Sequence, residues 1–174
     1  SMFWSIRRGN LAQEVVGFAK SEKTRDTAKS IGLCDHVFNN LKDTVNDADL
    51  VVLCTPVGVM GEVVEQIAPY LKKGATLSDV GSVKRAVLDA VEPLVPQDVN
   101  FVPAHPLAGT EHSGPESGFS SLFENRWCIL VPTVSSTPKA VEKLTCLWTG
   151  MGALVDQMDA DHDDLVLAVT SHTP

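Results

Sequence analysis

No stretch of these 174 residues approaches the ~20 consecutive apolar residues that cross a bilayer, so a membrane span is not expected. Positive charge is scarce too. Lys and Arg number 14 against 22 Asp and Glu, a net charge of −8. Proteins that bind nucleic acid usually present a basic face, so that partner class is not expected, whereas a local basic pocket for an anionic ligand is compatible with an acidic chain. The four cysteines, Cys34, Cys54, Cys128 and Cys146, form no Cys-x-x-Cys pair, and no His stands at zinc-finger spacing. Neither a metal site nor a disulfide framework is therefore expected. Cys54 and Cys128 lie in the apolar runs Leu-Cys-Thr and Trp-Cys-Ile-Leu, where small buried hydrophobes are the expectation. No signal peptide is read, and the cytoplasm is the expected location. Internal repeats and low-complexity tracts are missing as well.

What is present is an ordinary globular composition, 44% hydrophobic and 21% charged, with length for one well-packed domain. Short β-type runs alternate with amphipathic stretches. Glu14–Ala19 reads as a strand, and Ser21–Ile31 as a helix that Ser21 caps and Gly32 ends. Asp49–Cys54 is nearly all apolar with β-branched residues, the texture of a parallel strand covered on both faces. Gly58–Leu71 carries apolar residues at helical spacing. Ala75–Val80 predicts a strand, Val83–Val91 a helix and Phe101–Ala104 another short strand. Residues 105–118 hold three Gly and two Pro among polar residues and read as a loop. Arg126–Pro132 predicts a strand, Pro138–Gly150 a helix and Ala153–Gln157 a last strand. Asp159 can cap a final helix to Ser171. About five such alternations predict one doubly wound, Rossmann-type α/β sheet, mostly parallel, with helices on both faces.

Ligands of such sheets bind beyond the carboxyl ends of the strands. Three strand ends carry notable residues: Cys54, Thr55, Pro56, Val57 and Gly58; then Asp79, Val80, Gly81, Ser82, Val83 and Lys84; then the run from His105 to Gly114. Small residues, hydroxyls and one His at a shared rim suit a cleft where a flat cofactor lies close to backbone. Each has a plainer reading. Thr55–Gly58 can be a strand-to-helix turn, Asp79 or Ser82 can cap the next helix, and a lone His after a strand can be structural. A His followed by Pro106 and a Gly-rich polar loop is expected to be exposed and positioned.

The runs Cys-Thr-Pro-Val-Gly (54–58), Asp-Val-Gly-Ser-Val-Lys (79–84) and His-Pro-Leu-Ala-Gly-Thr-Glu-His-Ser-Gly (105–114), in this order and spacing, resemble the prephenate/arogenate dehydrogenase family. Glu124-Asn125-Arg126-Trp127 and Ser171-His172-Thr173-Pro174 fit as well, so the likeness extends over about residues 6–174. The resemblance implies oxidation of a cyclohexadienol that carries a ring carboxylate, with NAD or NADP as hydride acceptor. Carbon dioxide is lost, the ring becomes aromatic, and the step belongs to tyrosine biosynthesis. It implies that His105 accepts the hydroxyl proton, a role suited to a His near neutrality, that Ser82 orients it, and that Glu111, Ser113 and His172 line the substrate pocket. The cofactor would meet Cys54, Thr55, Pro56, Asp79, Val80 and Gly81.

Two departures stand out. A Gly-x-Gly-x-x-Gly run is absent before Ile6, and Ser1–Trp4 reads as a leader rather than as a strand. The pyrophosphate is then expected to lose its helix N-terminus. The helical dimerisation domain that the family carries after the terminal motif is also absent, so residues 1–174 read as a dinucleotide-binding domain incomplete at both ends, from a homodimeric protein. The second departure is at the tip of the first predicted strand. Ala19, Lys20 and Ser21 hold no acid there to bind ribose hydroxyls, and Lys20, Ser21 and Arg25 can instead meet a 2′-phosphate; they can equally be solvated surface groups. NADP is thus tolerated or preferred in this reading. Another dehydrogenase of β-hydroxyacid type, or a non-catalytic binding homologue, remains the alternative.

Overall fold

In a computed structural model, which describes residues 1–109 and 114–170, the chain begins with a helix, α1 (Met2–Gly9). Ser1–Trp4, expected not to form a strand, supply its N-cap and first turn. No side chain among the described residues caps α1. It is held by burial of Ile6 and Ser5, by Arg7 and Arg8 at its negative carbonyl end, and by Asn10, left-handed at φ 49°, which closes that end.

Then follow β1 (Val16–Phe18), α2 (Glu22–Ser30), β2 (His36–Phe38), α3 (Leu41–Val45), β3 (Leu50–Leu53), α4 (Val57–Ile67), β4 (Thr76–Asp79), α5 (Lys84–Val91), β5 (Asn100–Phe101), β6 (Ala104–Pro106), β7 (Trp127–Leu130), α6 (Pro138–Gly150), β8 (Leu154–Gln157) and α7 (Ala160–Thr170). The predicted helix starts hold: Ser21 accepts from the Thr24 amide, Thr137 from Ala140, and Asp159 from His162. No described helix is long and apolar enough to cross a membrane.

The single expected sheet is three ladders. β1 pairs with β2, β3–β4–β5 run parallel, and β6 lies antiparallel to β7, which is parallel to β8. Residues 100–106 join the last two ladders. The Val102 amide still donates to Leu77 of β4, and the Val131 amide already donates to Pro103. Pro103 and Pro106 have no amide hydrogen, so this run cannot complete a ladder on both sides. β4, between two neighbours, is buried at all four positions; β3, paired along one side only, is covered less than its apolar texture suggests.

Successive side chains of residues 101–105 point to opposite faces. Phe101 packs with Met60, Val64, Val87 and Val91 of α4 and α5. Val102 and Ala104 pack with Leu144 and Trp148 of α6 and with Ile6 of α1. The chain is therefore wound on both faces. Trp148 meets Phe123 edge-on, with ring centroids 5.2 Å apart.

Candidate functional site

The carboxyl ends of β1, β3 and β4 open onto one cleft of about 520 Å³. Gly17, Phe18 and Ala19 line it from β1, Cys54 follows β3, Val80 follows β4, and Pro106 and Ala108 belong to the His105 run. Parallel pairing explains the convergence: Leu53 is opposite Asp79 in register, so both strands stop at the same level. Ser1, Met2 and Phe3 also line this cleft. A helix N-terminus thus faces it, contrary to the expectation drawn from the missing glycine run, and such a terminus favours anions.

The β1 tip is built by short bonds. The Arg25 guanidinium donates to the Ala19 and Lys20 carbonyls at 2.9 and 2.8 Å, clamping the turn, and Ser21 is occupied in capping α2. Lys20 is exposed. The Thr55 hydroxyl is buried without a hydrogen-bond partner among the described residues, and Pro56 is exposed at the start of α4. Cys54 is exposed at the end of β3 rather than buried, because its strand ends one residue earlier; Cys34 and Cys128 are the buried thiols.

His105 departs from expectation. The residue is only 3% exposed, and α7, packed against α5, reaches it. The contact is specific: His105 Nδ1 lies 2.9 Å from Asp163 Oδ2, with both side chains buried. Beside a carboxylate, Nδ1 carries the hydrogen and donates it, so Nε2 keeps its lone pair. Ser82, expected to orient His105, is exposed and makes no side-chain hydrogen bond among the described residues. The group that meets the His105 ring is Asp163, which the sequence reading did not single out. The dense acids of Asp159-Ala160-Asp161-His162-Asp163-Asp164 were the available signal, but only packing separates them. Asp163 holds His105, Asp161 pairs with Arg85, and Asp164 accepts from the Lys84 and Arg85 amides at 2.7 and 3.1 Å. α5 is thus capped from another helix, by neither Asp79 nor Ser82.

Asp79 and Gly81, expected against the cofactor, are internal. Asp79 Oδ2 accepts from Lys84 Nζ at 2.5 Å and from the Gly81 amide at 2.7 Å, with both charged side chains fully buried. Burial pushes the Asp79 carboxyl up and the Lys84 ammonium down, and their contact opposes both displacements. Gly81 has no room for a side chain: a Cβ there would stand 2.9 Å from Val57 Cγ2 and 3.0 Å from Asp79 Oδ2. Glu111, Ser113 and His172 lie outside the described residues.

The family model "Prephenate dehydrogenase, nucleotide-binding domain" matches residues 4–157. The cyclohexadienyl dehydrogenase of Zymomonas mobilis is 42% identical over 157 residues, covering 90% of this chain and 53% of that protein. The prephenate dehydrogenase of Bacillus subtilis is 30% identical, covering 100% of this chain and 47% of that protein. Among solved structures, a prephenate dehydrogenase of Aquifex aeolicus in complex with hydroxyphenyl propionate and NAD+ has a TM-score of 0.89 at 29% identity, over 98% of this chain and 59% of that one. The chain spans about half the length of the curated relatives it matches. With residues of all three motifs lining one cleft and a family match over most of its length, the chain belongs to the prephenate dehydrogenase family, within which it corresponds to the nucleotide-binding domain.

Proposed function

We propose that this chain is the cofactor-binding part of an enzyme that oxidatively decarboxylates prephenate or arogenate in tyrosine biosynthesis, with His105 as the group that accepts the hydroxyl proton. The observation that carries the reading is the His105–Asp163 hydrogen bond beside the strand-end cleft. It fixes one tautomer and directs the free Nε2 lone pair away from Asp163. His105 itself is covered, while its chain neighbours Pro106 and Ala108 line the cleft.

The cleft suits a nicotinamide dinucleotide. It has small residues at the β1 and β3 ends, the N-terminal turn of α1 for a pyrophosphate, and, next to Cys54, the Thr55 hydroxyl, which has no partner among the described residues. Ala19, Cys54 and Val80 would hold the group, and Lys20 would meet a 2′-phosphate, so that NADP is accepted. When bound, NAD(P) supplies the acceptor for the hydride from the ring carbon. His105 takes the hydroxyl proton as that carbon is oxidised. The carboxylate leaves as carbon dioxide, its electron pair completes the aromatic ring, and His105 returns the proton to the phenolate oxygen. The resemblance further supports Glu111, Ser113 and His172 as substrate contacts, Ser82 as the serine that orients His105 and the substrate hydroxyl, and a homodimer.

The test is His105→Asn in the intact gene product, followed at the nicotinamide absorbance with prephenate and arogenate and with each cofactor. Loss of a positioned general base typically lowers the rate by about 10²–10⁴-fold. Cofactor binding should survive, and the ascending limb of the pH–rate profile should vanish. Near-native turnover with that limb intact would assign the proton to another group.

A further inference from the structure

We propose that the buried Asp79–Lys84 ion pair is a positioning device for His105: it grips the backbone of Ala104, the preceding residue, and stands in for the strand that β4 no longer supplies there. The proposal rests on the reading of His105 as proton acceptor.

The geometry is reciprocal. Asp79 Oδ1 accepts from the Ala104 amide at 3.3 Å, and Lys84 Nζ donates to the Ala104 carbonyl at 2.8 Å. Both backbone groups of Ala104 thus end on the two charges, which lie 2.5 Å apart and are fully buried. The backbone ladder from β4 reaches Val102, whose amide donates to Leu77, and β4 then ends at Asp79. Beyond that point a carboxylate serves as the missing carbonyl and an ammonium as the missing amide. The segment needs them. Pro103 and Pro106 bracket Ala104 and His105, so two residues in four lack a donor of their own. An unpaired backbone group buried here would be costly.

Stability alone gives no reason to keep such a pair, because replacing a buried ion pair with well-packed apolar residues is often neutral or stabilising. What an apolar pair cannot do is hold an amide and a carbonyl in one fixed place. The same ammonium also lies within Coulombic reach of Asp163, the partner of His105.

The experiment is Lys84→Met in the intact gene product. Three readouts are needed: kcat and KM, cofactor affinity by fluorescence titration, and the Nδ1–H proton resonance of His105, assigned by its loss in His105→Asn. A misplacement on the order of 1 Å at a reacting group costs about 10²-fold. We expect kcat to fall by roughly 10–100-fold on that basis, cofactor affinity to stay within about twofold, and the His105 resonance to broaden or disappear. Should Lys84→Met fail to fold, Asp79→Asn with Lys84→Met removes the lone buried carboxylate and is read the same way. A folded variant with native kcat and an unchanged His105 resonance overturns the proposal. So does a loss of kcat matched by equal loss of cofactor affinity, which would place Lys84 at the cleft instead. If His105→Asn keeps native turnover, the catalytic reading fails, and the resonance in Lys84→Met still decides whether the pair positions the ring.

Discussion

Asp163 Oδ2 and His105 Nδ1 stand 2.9 Å apart, joining the last helix to a strand 58 residues earlier in the chain. The bond makes the state of one imidazole depend on the docking of α7. Asp163→Asn keeps the size of the side chain but offers an amide where a carboxylate accepted a hydrogen. The turned tautomer should lower kcat by about 10²-fold or more, following the behaviour of carboxylate-oriented histidines. Steady-state turnover of the intact gene product measures this. An Asp163→Asn enzyme within about twofold of native, alongside an impaired His105→Asn, would remove Asp163 from the reaction.

Ala19 lines the cleft at the tip of β1, with the Arg25 clamp just behind it. A carboxylate introduced there should repel a 2′-phosphate and accept from ribose hydroxyls. Ala19→Asp is therefore expected to lower the NADP/NAD ratio of kcat/KM by at least about tenfold, the equivalent of one charge interaction of ~1.4 kcal/mol. An unchanged ratio would mean that this tip does not meet the ribose.

Asp164 caps α5 from outside, taking the Lys84 and Arg85 amides. Asp164→Ala should cost about 1 kcal/mol of stability, as the loss of a helix N-cap does, read from the urea midpoint of this chain. Arg85→Ala serves as the comparison. Arg85 and Asp161 are both exposed, and surface pairs of that kind contribute little, so its midpoint should barely move. Equal effects of the two substitutions would contradict the capping assignment.

Gly81 sits where backbone must pass against Val57, Asp79 and Val87. Gly81→Ala should destabilise by about 1–3 kcal/mol through crowding, with part of the effect falling on the Asp79–Lys84 contact. Thermal unfolding measures the loss. Gly58→Ala, with nothing within 4 Å of the added carbon, should be far milder.

Several features needed no coordinates. Strands β1, β3, β4, β7 and β8, helices α2 and α4–α7, the caps at Ser21, Thr137 and Asp159, and the gathering of Cys54, Val80, Pro106 and Ala108 at one cleft all follow from local pattern, whereas β2 and α3 are too short to stand out in it. Period and capping are short-range properties, and the parallel winding of such alternations leaves little freedom about which strand ends meet. α1 escaped because eight residues without a side-chain cap carry little local signal, and its stability comes from burial of Ile6 against α6.

Partner choice, by contrast, belonged to the tertiary structure. Ser82 and Asp163 are both polar, yet of the two it is Asp163 that is brought to His105, because α7 packs against α5 and carries Asp163 there. Asp79 looks like a cleft residue in its motif, yet it turns inward to Lys84, because β4 ends there and the Ala104 backbone needs both an acceptor and a donor. Residue types and spacing set which chemistry this chain can carry and at which edge of the sheet. Which polar group meets which depends on burial, since a desolvated charge must take whatever partner long-range packing presents to it.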